Sequence, residues 1–170
     1  MYLGPLRPRM TTIETISIEL LSHDNVASLS LEDQELIAQA RAAAGRAYAP
    51  YSRFMVGAAL RMANGTVVTG NNQENASFPA GICAERTALH AAMSARTDGI
   101  VHTMAVAVPN ASTDAPVPPC GICRQALAEQ EHRQGGPLRL LLASANGMVY
   151  ELASAGTLLP LSFNALFLKP

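Results

Sequence analysis

The sequence predicts a single α/β domain, a three-layer α/β/α sandwich built on a mixed sheet of about five strands. Three observations predict it. Stretches of helical periodicity alternate with short apolar strand runs, two pairs of those runs are joined across Asn-Gly, a strong hairpin signal, and 170 residues that are 49% hydrophobic and 15% charged suffice for one core. Residues 1–29 stand apart as an N-terminal extension, and the main domain is expected over 30–170.

In the extension, "TTIETISIEL" alternates enough to suggest an extra strand, followed by a loop. Ser30 with Asp33 three residues later forms a capping box, and Leu36, Ile37, Ala40 and Ala44 recur at helical spacing, giving a helix to about Ala47. "YAPYSRF" is a proline-bearing loop. "MVGAALRM" and "TVVTG" flank Asn64-Gly65 and read as a hairpin over residues 55–70. The loop "NNQENASFPAG" leads to a helix from about Ile82 to Arg96, and "IVHTMAVAV" is apolar throughout, as in a strand covered on both faces. Proline-rich "NASTDAPVPP" delivers the chain to a helix over about Gly121–Arg133, ended by "GGP". "LRLLLA" and "MVYEL", joined across Asn146-Gly147, supply two further strands, and "LLPLSFNALF" closes the chain.

The bulk charge narrows the function. A formal net charge of −1 leaves no basic footprint for phosphate backbones, so no nucleic-acid partner is expected and a small neutral or weakly charged ligand fits better. No apolar run approaches the roughly 20 residues that span a bilayer, so no membrane partner is expected. "MYLGPLRPRM" has basic residues with no apolar stretch behind them and does not read as a secretory signal, which favours the cytoplasm.

All 3 cysteines fall in two stretches, "FPAGICAERTALH" and "APVPPCGICRQAL", each opening a helix. A lone C-x-x-C pair is half of a metal site or a redox pair. The third thiol favours zinc, because an ion with one open position takes three protein ligands. Three thiolates outweigh its two positive charges, and helix mouths together with Arg86 and Arg124, either of which can reach a sulfur, offset the excess. Glu85 lies two residues beyond Cys83, about 200° round a helix, so both face one ion only if Cys83 sits on a non-helical lip. There the carboxylate stands beside the open position, able to take a proton from water and pass it on. A first-turn glutamate serving only the helix dipole is the bland alternative.

"CAER" followed by "PCGICRQ" resembles the zinc-dependent cytidine deaminases, the small free-nucleoside enzymes, and the resemblance runs from about Leu31 to Phe163. It implies one Zn2+ per subunit held by Cys83, Cys120 and Cys123, Glu85 as the catalytic proton carrier, and Arg86 bonded to the thiolates. It implies that the backbone of Ala84 contacts the base, that Phe54 in "PYSRF" stacks on it, and that Asn72 and Glu74 in "NQEN" grip the ribose hydroxyls. Gln125 corresponds to a glutamine packed behind the zinc. "LLPLSF" is similar to the segment through which a neighbouring subunit lends a phenylalanine, here Phe163, implying a homotetramer with shared active sites. The implied reaction is hydrolytic deamination of cytidine and 2'-deoxycytidine, in pyrimidine salvage. Met55 stands where many relatives have proline, and the extension exceeds the family pattern.

Three rivals remain from the residues. A polynucleotide deaminase usually has histidine as first ligand and needs basic or stacking surfaces, against 5% aromatic residues here. A deaminase of another heterocycle, such as the blasticidin type, keeps the zinc motif. A non-catalytic zinc-stabilised binding module explains the thiols but not Glu85. The 4 histidines, at 23, 90, 102 and 132, take no ligand position.

Overall fold

The computed structural model describes residues 12–168. Helix α1 (Leu31–Ala44) starts where the Ser30 hydroxyl accepts from the Asp33 amide (3.3 Å) and donates to the Asp33 carboxylate (2.8 Å). It ends at Ala44 rather than Ala47, because from Gly45 the chain tightens: the Arg46 and Ala47 amides turn back on the Ala43 and Ala44 carbonyls at 3.0 Å. Strands β2 (Gly57–Met62) and β3 (Val67–Asn71) form the expected hairpin, with Gly65 at φ 84° in the turn. Helix α2 (Ala84–Ala95), strand β4 (Val101–Ala107), helix α3 (Gly121–Gln134) and strands β5 (Arg139–Ala143) and β6 (Val149–Leu152) follow. Gly135 at φ 67° stops α3, and Gly147 at φ 102° turns β5 into β6.

The sheet has six strands rather than about five. The sixth, β1 (Leu21–His23), lies in the extension but after the alternating stretch at 11–20: Thr12–Leu20 pairs with nothing among the described residues, and residue 11 lies outside them. β1 pairs antiparallel with β6 at the sheet edge, and the His23 imidazole meets the Glu151 carboxylate at 2.9 Å. Alternation alone missed its position because the pairing partner and this cross-strand contact, not periodicity, decide where an edge strand forms.

The order is β1-β6-β5-β4-β2-β3, with β4 and β5 the parallel pair and α3 the crossover between them. Strand residues alternate between two cores. Ala59, Ala105, Ala107, Leu141 and Val149 face α1, while Leu60, Met104, Val106, Leu140 and Leu142 face α2 and α3. This gives the three layers, with β4 buried on both sides as its unbroken apolar run requires.

The helices on the hairpin side approach to backbone contact. A Cβ on Gly57 would lie 1.9 Å from the Ala40 carbonyl oxygen of α1, and one on Gly70 would lie 2.4 Å from the Ala88 nitrogen of α2. Both helices therefore sit closer to the sheet than any side chain permits. Gly70→Ala should lower the unfolding free energy by about 3 kcal/mol in urea denaturation, because the atoms it would meet, from Ala84 and Ala88, are backbone and cannot swing aside.

Candidate functional site

Two helix mouths meet at one point. Cys83 is the residue preceding α2, in extended conformation (φ −76°, ψ 156°), and its carbonyl accepts from the Thr87 amide at 3.0 Å. Cys120 occupies the same place before α3 (φ −66°, ψ 166°), and Cys123 lies in that helix's first turn. The Cys83 and Cys120 sulfurs are 3.7 Å apart, and all three sulfurs lie within 4.8 Å of one another. Thiolates bound tetrahedrally at about 2.3 Å from zinc are separated by about 3.8 Å. A disulfide needs sulfurs at about 2.05 Å, so the trio is set for an ion and not for a cross-link. No histidine joins the cluster among the described residues.

The surroundings favour a negative sulfur at Cys83. The hydrogen bond from Cys123 brings the Cys83 thiol down to about 5 against the cost of burial, with Arg86 and Cys120 assisting. Cys123, which gives that hydrogen bond and is also buried, is pushed up. Burial alone would lower the Arg86 pKa, but the Cys83 and Cys123 sulfurs carry it upward. The Arg86 Nε is buried with no hydrogen-bond partner among the described residues, a donor that three metal-bound thiolates, rich in lone pairs, would satisfy. Arg124 turns elsewhere: its Nε donates to the Pro119 carbonyl (2.8 Å) and a terminal nitrogen to that of Leu158 (3.1 Å), so it splints the approach to Cys120. The donor set, its spacing and the orphaned guanidinium nitrogen all fit zinc.

Glu85 stands one residue inside α2. Since Cys83 is on the extended lip, thiol and carboxylate can converge despite their spacing of two. Only 5% of Glu85 is exposed. Burial pushes its carboxyl up and the Cys83 charge pushes the same way, against a backbone hydrogen bond at Glu85 itself. A carboxyl held so gives up its proton less readily than a free one. It lines a cavity of about 430 Å3 together with Cys83, Cys120, Phe54, Asn72 and Glu74. Ala84, fully buried, begins α2 between the thiol and the acid.

The loop before β2 lines the same cavity through Ser52, Phe54 and Val56. Glu74 accepts from the amides of Tyr51 (2.9 Å) and Ser52 (3.3 Å) and from the Ser52 hydroxyl, and the Ser52 hydroxyl foremost holds its carboxyl below the usual range. Asn72 accepts from the Val56 amide (2.8 Å) and donates to the Phe54 carbonyl (2.9 Å). The resemblance gives Asn72 and Glu74 to the ribose, with a loop-turn role as the alternative open from the residues; both do shape the loop that carries Phe54. Each retains capacity, an unused N–H on Asn72 and free lone pairs on Glu74. Ser52 and Asn110, which also bond this loop, carried no signal beyond turn-type residues.

Gln125 donates to the Phe163 carbonyl at 2.8 Å, tying the C-terminal segment to α3. Phe163 is 58% exposed, stacks on Phe167 with ring centres 6.1 Å apart, and does not line the chain's own cavity. Tyr51, Phe78 and Ile122 border an adjoining hollow of about 590 Å3 that shares Asn72, Glu74 and Cys83 with the cavity. No helix among the described residues is long and apolar enough to cross a membrane.

Comparison with known proteins bears on this geometry. Residues 30–134 match the family model for the cytidine and deoxycytidylate deaminase zinc-binding region. The chain is 44% identical over 135 residues to a cytidine deaminase of Halalkalibacterium halodurans, covering 79% of this chain and 96% of that protein. It is 41% identical over 134 residues to one of Sporosarcina psychrophila, covering 79% and 93%. The crystal structure of a cytidine deaminase from Burkholderia pseudomallei superposes with a TM-score of 0.69 at 42% identity, covering 79% of this chain and all (100%) of that one. That from Mycobacterium tuberculosis gives 0.62 at 34% identity, covering 79% and 98%.

Proposed function

Since the chain belongs to the family of zinc-dependent cytidine deaminases, we propose that it hydrolyses cytidine and 2'-deoxycytidine to uridine and 2'-deoxyuridine with release of ammonia, in pyrimidine salvage. The observation that carries this reading is the convergence of three sulfurs at two helix mouths, two of which, Cys83 and Cys120, line a cavity together with the buried Glu85. Zinc held by Cys83, Cys120 and Cys123, one per subunit, supplies the Lewis acidity that makes water nucleophilic at neutral pH.

Glu85 takes the proton of the attacking water and delivers it to N3 of the base as C4 becomes tetrahedral. It then takes the remaining proton from the C4 oxygen and gives it to the departing amine, so one carboxyl serves both transfers. The raised pKa of Glu85 supports this double use. Arg86 and the two helix dipoles balance thiolate charge. Phe54 stacks on the base, the Ala84 backbone contacts it, and Asn72 and Glu74 receive the ribose hydroxyls with the capacity their loop bonds leave free. Gln125 steadies the segment bearing Phe163, which reaches a neighbouring subunit's site in a cytoplasmic homotetramer. Its exposure supports that assignment, as does the fact that it does not line the chain's own cavity.

The test is the fall in ultraviolet absorbance when purified protein meets cytidine, 2'-deoxycytidine, blasticidin S and a cytosine-bearing single-stranded DNA, with zinc analysis of the same sample. Turnover of the two nucleosides alone is expected. Preference for blasticidin S or the DNA, or zinc without turnover of any, would replace the reading with one of its rivals. In Glu74→Gln the Michaelis constant for both nucleosides should rise about tenfold with zinc content unchanged.

A further inference from the structure

Two asparagines grip one stretch of backbone. Asn110 donates to the Arg53 carbonyl at 2.6 Å and accepts from the Met55 amide at 3.2 Å. Asn72 does the same one residue along, at the Phe54 carbonyl and the Val56 amide. The two side chains thus take alternate carbonyls and amides along 53–56, much as the partners of a strand do.

The groups Asn110 takes are those immediately before and after Phe54. Its amide therefore fixes the backbone dihedrals of that residue, while Asn72 brackets Met55. The Phe54 amide is held separately by the Ser52 hydroxyl at 3.0 Å. Just before it, Arg53 sits at φ 57°, a left-handed conformation that a side chain disfavours and that persists only under external restraint. Asn110 is rooted three residues beyond the end of β4, one of the two central strands; Val106 within that strand and Val108 just after it line the cavity. The restraint thus runs from the centre of the sheet to a ring that lines the same cavity as Glu85.

We propose that Asn110 is a positioning residue for the base, acting through Phe54: it pre-sets the backbone that aims the ring, and so strengthens nucleoside binding. This rests on the reading of Phe54 as the stacking ring. An amide is the side chain suited to the task, because it offers a donor and an acceptor side by side, matching a carbonyl and the amide two residues on. The ordering is completed on folding, so the loop need not be ordered again when substrate binds.

The experiment compares the zinc-loaded wild type with Asn110→Ala, Asn110→Asp, Phe54→Ala and the double variant Phe54→Ala/Asn110→Ala. Asn110→Ala should raise the Michaelis constant for cytidine about tenfold and hold kcat within about threefold, with zinc content unchanged. Asn110→Asp keeps the acceptor but cannot donate to Arg53, and should show a rise in the same direction. In the Phe54→Ala background the Asn110 change should add less than about twofold, since the ring it aims is gone. Amide exchange at Met55 and Val56 should quicken in Asn110→Ala while β4 and α2 stay protected. An unchanged Michaelis constant, full additivity with Phe54→Ala, or unaltered exchange overturns the proposal. If the wild type itself leaves cytidine untouched, it is the deaminase reading that fails, and the exchange result alone then decides whether Asn110 orders the loop.

Discussion

Glu85→Gln should retain its zinc and lose turnover of cytidine by about 10^3- to 10^4-fold in kcat, the span that general acid–base catalysis contributes. The substitution is nearly isosteric, so the buried first turn of α2 keeps its packing and Cys83 keeps its place on the extended lip. What disappears is a group able to take a proton from water and hand it to N3. Removing a buried acid whose carboxyl is already pushed up by desolvation leaves the fold no worse off, and the melting temperature should stay level or rise. Steady-state kinetics with metal analysis on the same preparation check this. Activity within tenfold of wild type would remove Glu85 from the reaction, and loss of zinc would make it a structural support instead.

Cys123→Ala should lose both metal and activity. The residue is fully buried in the first turn of α3, and with it gone two sulfurs remain, both on helix lips. Zinc content after dialysis should fall below about a tenth of the wild-type value, with turnover falling alongside. Stability should fall too, because an ion that binds only the folded chain adds RT ln(1 + [Zn]/Kd), about 4 kcal/mol at a thousandfold excess over Kd. Chelation of the wild type should lower its melting temperature similarly, and added zinc should restore it in the wild type but not in Cys123→Ala. A variant that kept full metal would mean that the three sulfurs do not share an ion.

Much of this was legible in the sequence because it was written locally. Helical spacing after Ser30, Asn-Gly at 64 and 146, and the apolar run of β4 each report a physical constraint within a few residues. The cysteines were legible for the same reason: a thiol just outside a helix and a C-x-x-C opening another have a spacing that geometry can interpret. What escaped lies between distant segments. Nothing in "VPN" says that Asn110 reaches 57 residues back to Arg53, nor in "NQEN" that Glu74 seats the turn at Tyr51 and Ser52. Side-chain bonds to irregular backbone leave no period. Arg124 illustrates the other limit: its place beside Cys123 suggested a sulfur, and two carbonyls proved the better partners. The edge strand fell later than its alternation suggested, at residues that find Glu151 across the sheet.

The bare contact at Gly70 has a mechanical consequence. A helix mounted on a sheet through ordinary side chains rests on a cushion that rotamer changes can compress, whereas α2 meets β3 almost atom against atom. Its leading end, with Cys83, therefore behaves as part of the sheet's own rigid frame. A claw mounted on so stiff a hinge lets go of its ion only when the whole mount comes apart, which turns metal retention into a property of the fold rather than of the three sulfurs alone.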